Sequence, residues 1–216
     1  MPELHDIVFL RHAESEGNAQ GYLQGQIDSA LSEQGKKQVQ NLAERWQTLG
    51  VRFDRVISSP LRRARQTAEP IAQALGAPVS YEPLWAERSF GSLEGFPFET
   101  LRQRLPPPDY IAPFTSVGET GESQVDLYAR ALQALQKLVR LGAGRTLVVA
   151  HGAILGKAMY AILGITPLGH VGSPAFQFTN LTYVHLTYEA MERKWSWISF
   201  TNPGQWDGNL DSRWNP

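Results

Sequence analysis

The chain has 216 residues, of which 42% are hydrophobic and 19% charged, with a net charge of −1. This composition can build a sizeable core and excludes wholesale disorder, and the near-neutral balance gives no overall pull toward nucleic acid or an anionic membrane. Cysteine is absent, which excludes disulfides, thiolate metal sites, iron–sulfur clusters and a cysteine nucleophile, and fits a reducing cytoplasm.

The opening stretch, Met1 to His12, has no basic segment followed by a long apolar one, so no signal peptide is expected. Ile7-Val8-Phe9-Leu10 reads as a buried strand of a parallel sheet, and it runs into Arg11-His12. A polar loop from Glu14 to Ser29 comes next. Ser32 reads as an N-cap for a helix over 33–49, with Val39, Leu42, Ala43, Trp46 and Leu49 at helical spacing and Gly50 as its stop. Arg55 to Ser58 reads as a second strand. Ser59-Pro60 reads as an N-cap and first helical position, opening a helix that Gly76 ends; Pro70 predicts a kink or break inside it.

Pro78 to Tyr81 reads as a third strand. Residues 83–121 read as an irregular cap, with a short helix near 98–104, and Phe96, Phe98, Tyr110 and Phe114 as an apolar roof over a site. Ser123 opens a helix with Val125, Tyr128, Leu132, Leu135, Leu138 and Val139 on its buried side. Thr146 to Ala150 is the clearest buried strand and runs into His151-Gly152; a short apolar helix then extends from Ala153 to Leu163. Two late strands are expected, over 181–187 and 195–200, and then a polar tail, 203–216. Every apolar run is too short to span a bilayer.

Alternating strands and helices predict an α/β fold: a three-layer sandwich with a mostly parallel central sheet, helices on both faces and a small cap segment, all in one domain over 1–216. Ligands of such sheets bind beyond the carboxyl ends of the strands. His12 and His151 stand directly after the two clearest strands.

Five segments then fall in a suggestive order. They are Leu10-Arg11-His12-Ala13-Glu14-Ser15 with Asn18; Ser59 with Arg63, Ala64, Thr67 and Ala68; Leu84 to Gly95 around Glu87; Gly121-Glu122-Ser123 with Arg130; and His151-Gly152. Together they resemble the histidine phosphatase superfamily, in its branch of cofactor-dependent phosphoglycerate mutases and related small-molecule phosphatases. One departure is that Leu84 precedes Glu87 by three positions where the family pattern has two. The resemblance spans residues 5 to about 190.

The resemblance implies a phosphohistidine mechanism with His12 as nucleophile, and Arg11, Arg63 and His151 holding the transferring phosphoryl group. Asn18 would add a hydrogen bond and Glu87 would protonate the leaving oxygen. Gln24, Gly25 and Arg62 are weaker substrate-side candidates, Arg62 being equally readable as solvated. The chemistry is consistent. An imidazole nucleophile must be neutral, adjacent arginines disfavour its protonation, and guanidinium forks match phosphate oxygens. Neither a metal nor another cofactor is expected, since Arg11 and Arg63 would repel a divalent ion from a two-histidine-one-carboxylate site.

The bland readings are a solvated face for Arg65, a structural role for Glu94, and structural or exposed places for His5, His170 and His185. Ala153 after His151-Gly152, the short segment before it, and Ala13 and Gly17 favour a phosphatase over a mutase. The expected partner is a small phosphomonoester, with some hydrophobic body if the aromatic roof forms. A homo-oligomer is left open. A catalytically silent phosphate-binding module is the non-enzyme alternative; it is disfavoured because Arg11, His12, Arg63, Glu87 and His151 are all present.

Overall fold

The computed structural model describes residues 4–104, 112–167 and 176–202. Its strands are β1 (Leu4–Arg11), β2 (Arg55–Ser58), β3 (Val79–Tyr81), β4 (Gly144–Ala150), β5 (Tyr183–Glu189) and β6 (Lys194–Thr201). They join in one sheet, in the order β3-β2-β4-β1-β5-β6. β1 to β4 are mutually parallel where they pair, whereas β5 runs antiparallel to both β1 and β6. The central sheet is thus mostly parallel, as the sequence implied.

Successive side chains of a strand face opposite ways, so each central strand feeds two cores. Val8, Leu10, Val56, Leu147 and Val149 pack against α2 (Glu33–Thr48) and α3 (Arg62–Leu75). Ile7, Phe9, Ile57, Val148 and Ala150 pack against α5 (Gln124–Val139) and α6 (Gly152–Ile162). Two short helices, α1 (Glu16–Gln20) and α4 (Phe98–Arg104), lie in the connections, and the region after β3 is otherwise loops and two 3-10 turns, Pro83–Trp85 and Gly91–Leu93. Among the described residues no helix is long and apolar enough to cross a membrane.

Leu147 is fully buried in the central strand β4. Leu147→Ala is expected to lower the unfolding free energy by roughly 2–5 kcal/mol, because it removes buried methyl groups and leaves a void that parallel strands on both sides cannot close. Denaturant unfolding reads this as a lower midpoint with unchanged slope.

Three local expectations need correction. Ser59 does not cap a helix: α3 begins at Arg62, its N-cap is Leu61 without a side-chain bond, and the Ser59 hydroxyl is engaged by His151. Pro70 does not break α3, which runs through to Leu75. Pro70 lacks only one amide donor, and the burial of Ala64, Ala68, Ile71 and Ala72 on the same face outweighs it.

The buried stripe of α5 is Leu127, Ala131, Ala134, Leu135 and Leu138, while Leu132 is 45% exposed. The sequence pattern followed the larger apolar residues and passed over two alanines, whose small side chains form part of the core packed against α6. The cap is only partly as expected, since Phe98 and Phe114 are 45% and 73% exposed. Tyr110, His170 and the 203–216 tail lie outside the described residues.

Candidate active site

The sheet register builds the centre of the site. Arg11 pairs with Ala150 across β1 and β4, so His12 and His151 leave the sheet side by side, and their rings lie 5.0 Å apart. Ser59 comes directly after the adjacent strand β2, held by its amide to the Val149 carbonyl. Arg63, in the first turn of α3, reaches in from the other side. All are at the carboxyl ends of parallel strands, where backbone ladders stop and side chains are free to converge.

Each histidine has one nitrogen assigned by its surroundings. His12 Nδ1 lies 2.7 Å from the Ala13 carbonyl, which can only accept, so Nδ1 carries the proton and Nε2 holds the lone pair. His151 Nε2 lies 2.7 Å from Ser59 Oγ. The Ser59 hydroxyl also accepts from Leu61 N, and its one proton has Nε2 as an acceptor, the arrangement in which the His151 proton is on Nδ1. Burial, followed by the charges of Arg11 and Arg63, holds His12 well below the usual imidazole range. Burial, then Arg63, His12 and Arg11, does the same for His151. Both rings are therefore neutral near pH 7.

The arginines are fixed by carbonyls. Arg63 donates from Nη1 to Ile27 O and from Nη2 to Gly25 O, both at 2.7 Å. Arg11 donates from Nη1 to Phe178 O at 2.5 Å. Among the described residues, Arg11 Nε, Arg63 Nε and His151 Nδ1 are buried without a hydrogen-bond partner. A buried unpaired polar group costs about 1–3 kcal/mol. Here two guanidinium edges and one imidazole nitrogen remain unpaired beside the lone pair of His12, which is an electrostatic and hydrogen-bonding arrangement suited to an oxyanion such as phosphate.

Glu87 lies across this cluster, close enough that its charge acts on both Arg11 and Arg63. Its carboxylate accepts from Arg88 N at 2.8 Å and from Ala153 N and Ile154 N at 3.2 and 3.3 Å, in the first turn of α6. Asn18 is oriented by two donors to its Oδ1, Ser15 N and Asn180 Nδ2, with the Ser15 hydroxyl, whose one proton is shared with Gln24 Oε1, 2.9 Å away. Its own amide nitrogen is thereby left as the group available to a ligand.

The structure brings together Arg11, His12, Arg63, Glu87 and His151, with Asn18 beside them. The three weaker candidates sit differently. Gln24 is buried and its Oε1 accepts from Ser15 Oγ, with Gly17 leaving room: a Cβ on Gly17 would collide with Gln24 Cγ. Gly25 offers its carbonyl to Arg63; its φ of +50° and the Glu94 carboxylate, which occupies the place where a Cβ would stand, require glycine. Arg62 is exposed, and its amide donates to Asp28.

Glu94 accepts from Gln26 N and Phe90 N, tying two loops together. Arg65 pairs with Glu69 on the surface. His5 bonds Thr146, and His185 pairs with Asp6. These four fit the bland readings given to Arg65, Glu94, His5 and His185.

Two site residues escaped the sequence reading. Ser59 was visible in a motif, but its local context read as a helix cap. Asn180 donates to the His12 carbonyl at 3.0 Å and to Asn18, from a loop before β5 that carries no pattern of its own.

A family model described as "Histidine phosphatase superfamily (branch 1)" matches residues 7–201 of the chain. A protein of Arabidopsis thaliana called "Metal-independent phosphoserine phosphatase" is 37% identical over 202 residues, covering 89% of this chain and 79% of that protein. A "Probable phosphoglycerate mutase GpmB" of Citrobacter koseri is 36% identical over 163 residues, covering 74% of this chain and 75% of that one. Among solved structures, a mycobacterial glucosyl-3-phosphoglycerate phosphatase complexed with VO3 superposes with a TM-score of 0.77 at 25% identity, covering 90% of this chain and 98% of that chain. A mutant phosphoserine phosphatase of Entamoeba histolytica, complexed with phosphoserine, gives a TM-score of 0.77 at 25% identity, covering 93% of this chain and 98% of that one.

Proposed function

The chain belongs to the histidine phosphatase superfamily, and from this we propose that it is a metal-independent phosphatase that hydrolyses small phosphomonoesters through a phosphohistidine intermediate. The single observation that carries the reading is the set of buried, unpaired donors, Arg11 Nε, Arg63 Nε and His151 Nδ1, beside the unprotonated Nε2 of His12.

The geometry supports a two-step reaction. In the first step His12 Nε2 attacks phosphorus, the N–P bond forms, the P–O ester bond breaks and Glu87 gives its proton to the leaving alkoxide. In the second, the Glu87 carboxylate takes a proton from a water molecule as its oxygen attacks phosphorus, the O–P bond forms, the N–P bond breaks, inorganic phosphate leaves and Glu87 is protonated again. Arg11, Arg63, Asn18 and His151 hold the equatorial oxygens throughout. Phosphoryl transfer needs mainly positioning and charge stabilisation, and fixed guanidinium groups supply both without a metal ion. Gln24 and Gly25 serve this set indirectly, through Ser15 and Arg63. The expected partner remains a small phosphomonoester, in a single cytoplasmic domain over residues 1–216.

The mutase reading is kept as the alternative because one of the curated relatives carries that name. Ala153 and the short segment before His151 favour water as the acceptor. The test supplies 3-phosphoglycerate, phosphoserine and p-nitrophenyl phosphate in the presence of a chelator. Phosphate release that persists in chelator and is inhibited by vanadate, which mimics five-coordinate phosphorus, is the expected result. Activity lost in chelator and restored by magnesium or zinc overturns the metal-independent reading. Formation of 2-phosphoglycerate much faster than phosphate, given a trace of 2,3-bisphosphoglycerate, makes the protein a mutase.

A further inference from the structure

Arg130 makes no hydrogen bond to the side chains around His12, although its charge adds a little to holding His151 neutral, and it is among the most heavily engaged side chains of the molecule. Its Nε donates to Glu122 Oε1 at 2.7 Å. Nη1 donates to Leu84 O at 2.9 Å and Ala86 O at 2.6 Å. Nη2 donates to Glu122 Oε2 at 2.7 Å and Glu87 O at 3.2 Å. A guanidinium has five N–H donors, and all five have an acceptor. Three of those acceptors are carbonyls of the segment that ends in Glu87.

Glu122 completes the arrangement. Its carboxylate also accepts from Ser89 N at 2.9 Å, and its own backbone pairs with residues 88 and 89: Glu122 N donates to Ser89 O, and Arg88 Nε and Nη2 donate to Glu122 O. The Arg130 and Glu122 side chains are 16% and 20% exposed, so the pair is shielded from most screening by water. Gly118, at φ +55°, lets the chain pass close on this side, since a Cβ there would collide with Phe90 O. The segment carrying Glu87 is not part of the sheet. It is the start of the cap that follows β3, mostly irregular backbone, and backbone of this kind needs external partners to hold one conformation.

We propose that Arg130, locked by Glu122, is the positioning residue of the proton donor: it fixes the backbone from Leu84 to Ser89 so that the Glu87 carboxylate stands at the leaving-group oxygen. The proposal rests on the reading of Glu87 as the acid. It assigns to α5, which also packs against α6 and the Pro83–Trp85 turn and holds Glu82 through Lys137, the task of setting the acid relative to the nucleophile carried by β1. A lysine cannot replace Arg130. Its three donors share one nitrogen and cannot span three carbonyls and both carboxylate oxygens, so the usual conservative exchange is not conservative here.

The test measures single-turnover phosphorylation of the enzyme by glycerol phosphate and by p-nitrophenyl phosphate. The proteins are wild type, Arg130→Lys, Glu122→Gln, Glu87→Gln and the double variant Glu87→Gln with Arg130→Lys. Arg130→Lys is expected to slow the alkyl ester by about 10- to 100-fold, the scale of an ångström-sized misplacement, and the nitrophenyl ester much less. Glu122→Gln keeps the side-chain shape and should shift the ratio in the same direction; it carries the test if Arg130→Lys does not fold, as judged by its thermal melt. The double variant is expected to be no slower on the alkyl ester than Glu87→Gln alone, because a misplaced acid and an absent one are the same loss.

Equal loss on both esters, or fully multiplying losses in the double variant, would show a general structural role and overturn the proposal. If Glu87→Gln itself fails to separate the two esters, the acid reading falls and the proposal with it. If Glu87→Gln separates them and neither Arg130→Lys nor Glu122→Gln does, the proposal alone falls.

Discussion

Replacement of His12 by alanine is expected to lower turnover by more than about 10,000-fold, the scale on which losing a covalent nucleophile acts. The reason lies in the local geometry. His12 is locked between β1 and β4, its Nδ1 proton is committed to the Ala13 carbonyl, and the two arginines with burial keep the ring uncharged. Among the described residues no neighbouring group is placed to substitute: His151 sits in the same cluster, but its Nε2 is engaged with Ser59.

The same variant should also remove an intermediate. Denaturing wild-type protein rapidly during turnover, without acid, should leave phosphate bonded to one imidazole nitrogen, stable in base and released by acid, unlike a phosphoserine ester. His12→Ala should leave no such adduct while keeping the wild-type melting behaviour. Retention of the adduct in His12→Ala, or its absence from wild type under rapid quench, would move the nucleophile elsewhere or replace the two-step path by direct attack of water.

How much of this could be read beforehand depends on how each residue is carried. His12 and His151 were legible because a buried strand announces itself by an unbroken apolar run, and the residue just after such a run stands at the sheet's carboxyl edge. Arg11, Asn18, Arg63 and Glu87 were legible through short motifs in which several positions are fixed together. Asn180 was not. It reaches His12 across a sequence separation of 168 residues, through a carbonyl contact that no spacing rule anticipates.

Ser59 shows a different failure. Ser-Pro is a sound signal for a helix start, but the hydroxyl was already committed to His151, so the chain turns into α3 at Arg62 without a side-chain cap. The stripe of α5 was misplaced because Ala131 and Ala134 look neutral in a hydrophobicity pattern, yet their small size fits them to the close-packed core against α6. The role of Arg130 was invisible for a third reason. Its acceptors are backbone carbonyls of a segment some forty residues away, and backbone carbonyls leave no mark in sequence.

Glu87→Gln is expected to divide substrates by their leaving groups. The amide keeps the size of the carboxyl group but cannot deliver its proton. An alkyl phosphate must expel an alkoxide, which leaves readily only as the alcohol, and general acids typically contribute about 100- to 10,000-fold to such steps. A nitrophenolate leaves unassisted. Single-turnover phosphorylation by an alkyl phosphate should therefore fall by roughly that factor, and phosphorylation by p-nitrophenyl phosphate by far less. Restricting the measurement to the first turnover matters, because the later attack of water also uses Glu87 and would slow both substrates alike. The other carboxylate of the segment offers no substitute: Glu94 accepts from Gln26 N and Phe90 N and is spent on tying those two loops together. Glu87 alone of the two accepts at the first turn of α6, beside the histidines, while its charge acts on both Arg11 and Arg63. An equal loss on both esters would mean that the first-step proton comes from another group, and the phosphate oxygens of the substrate itself would then be the donor to test.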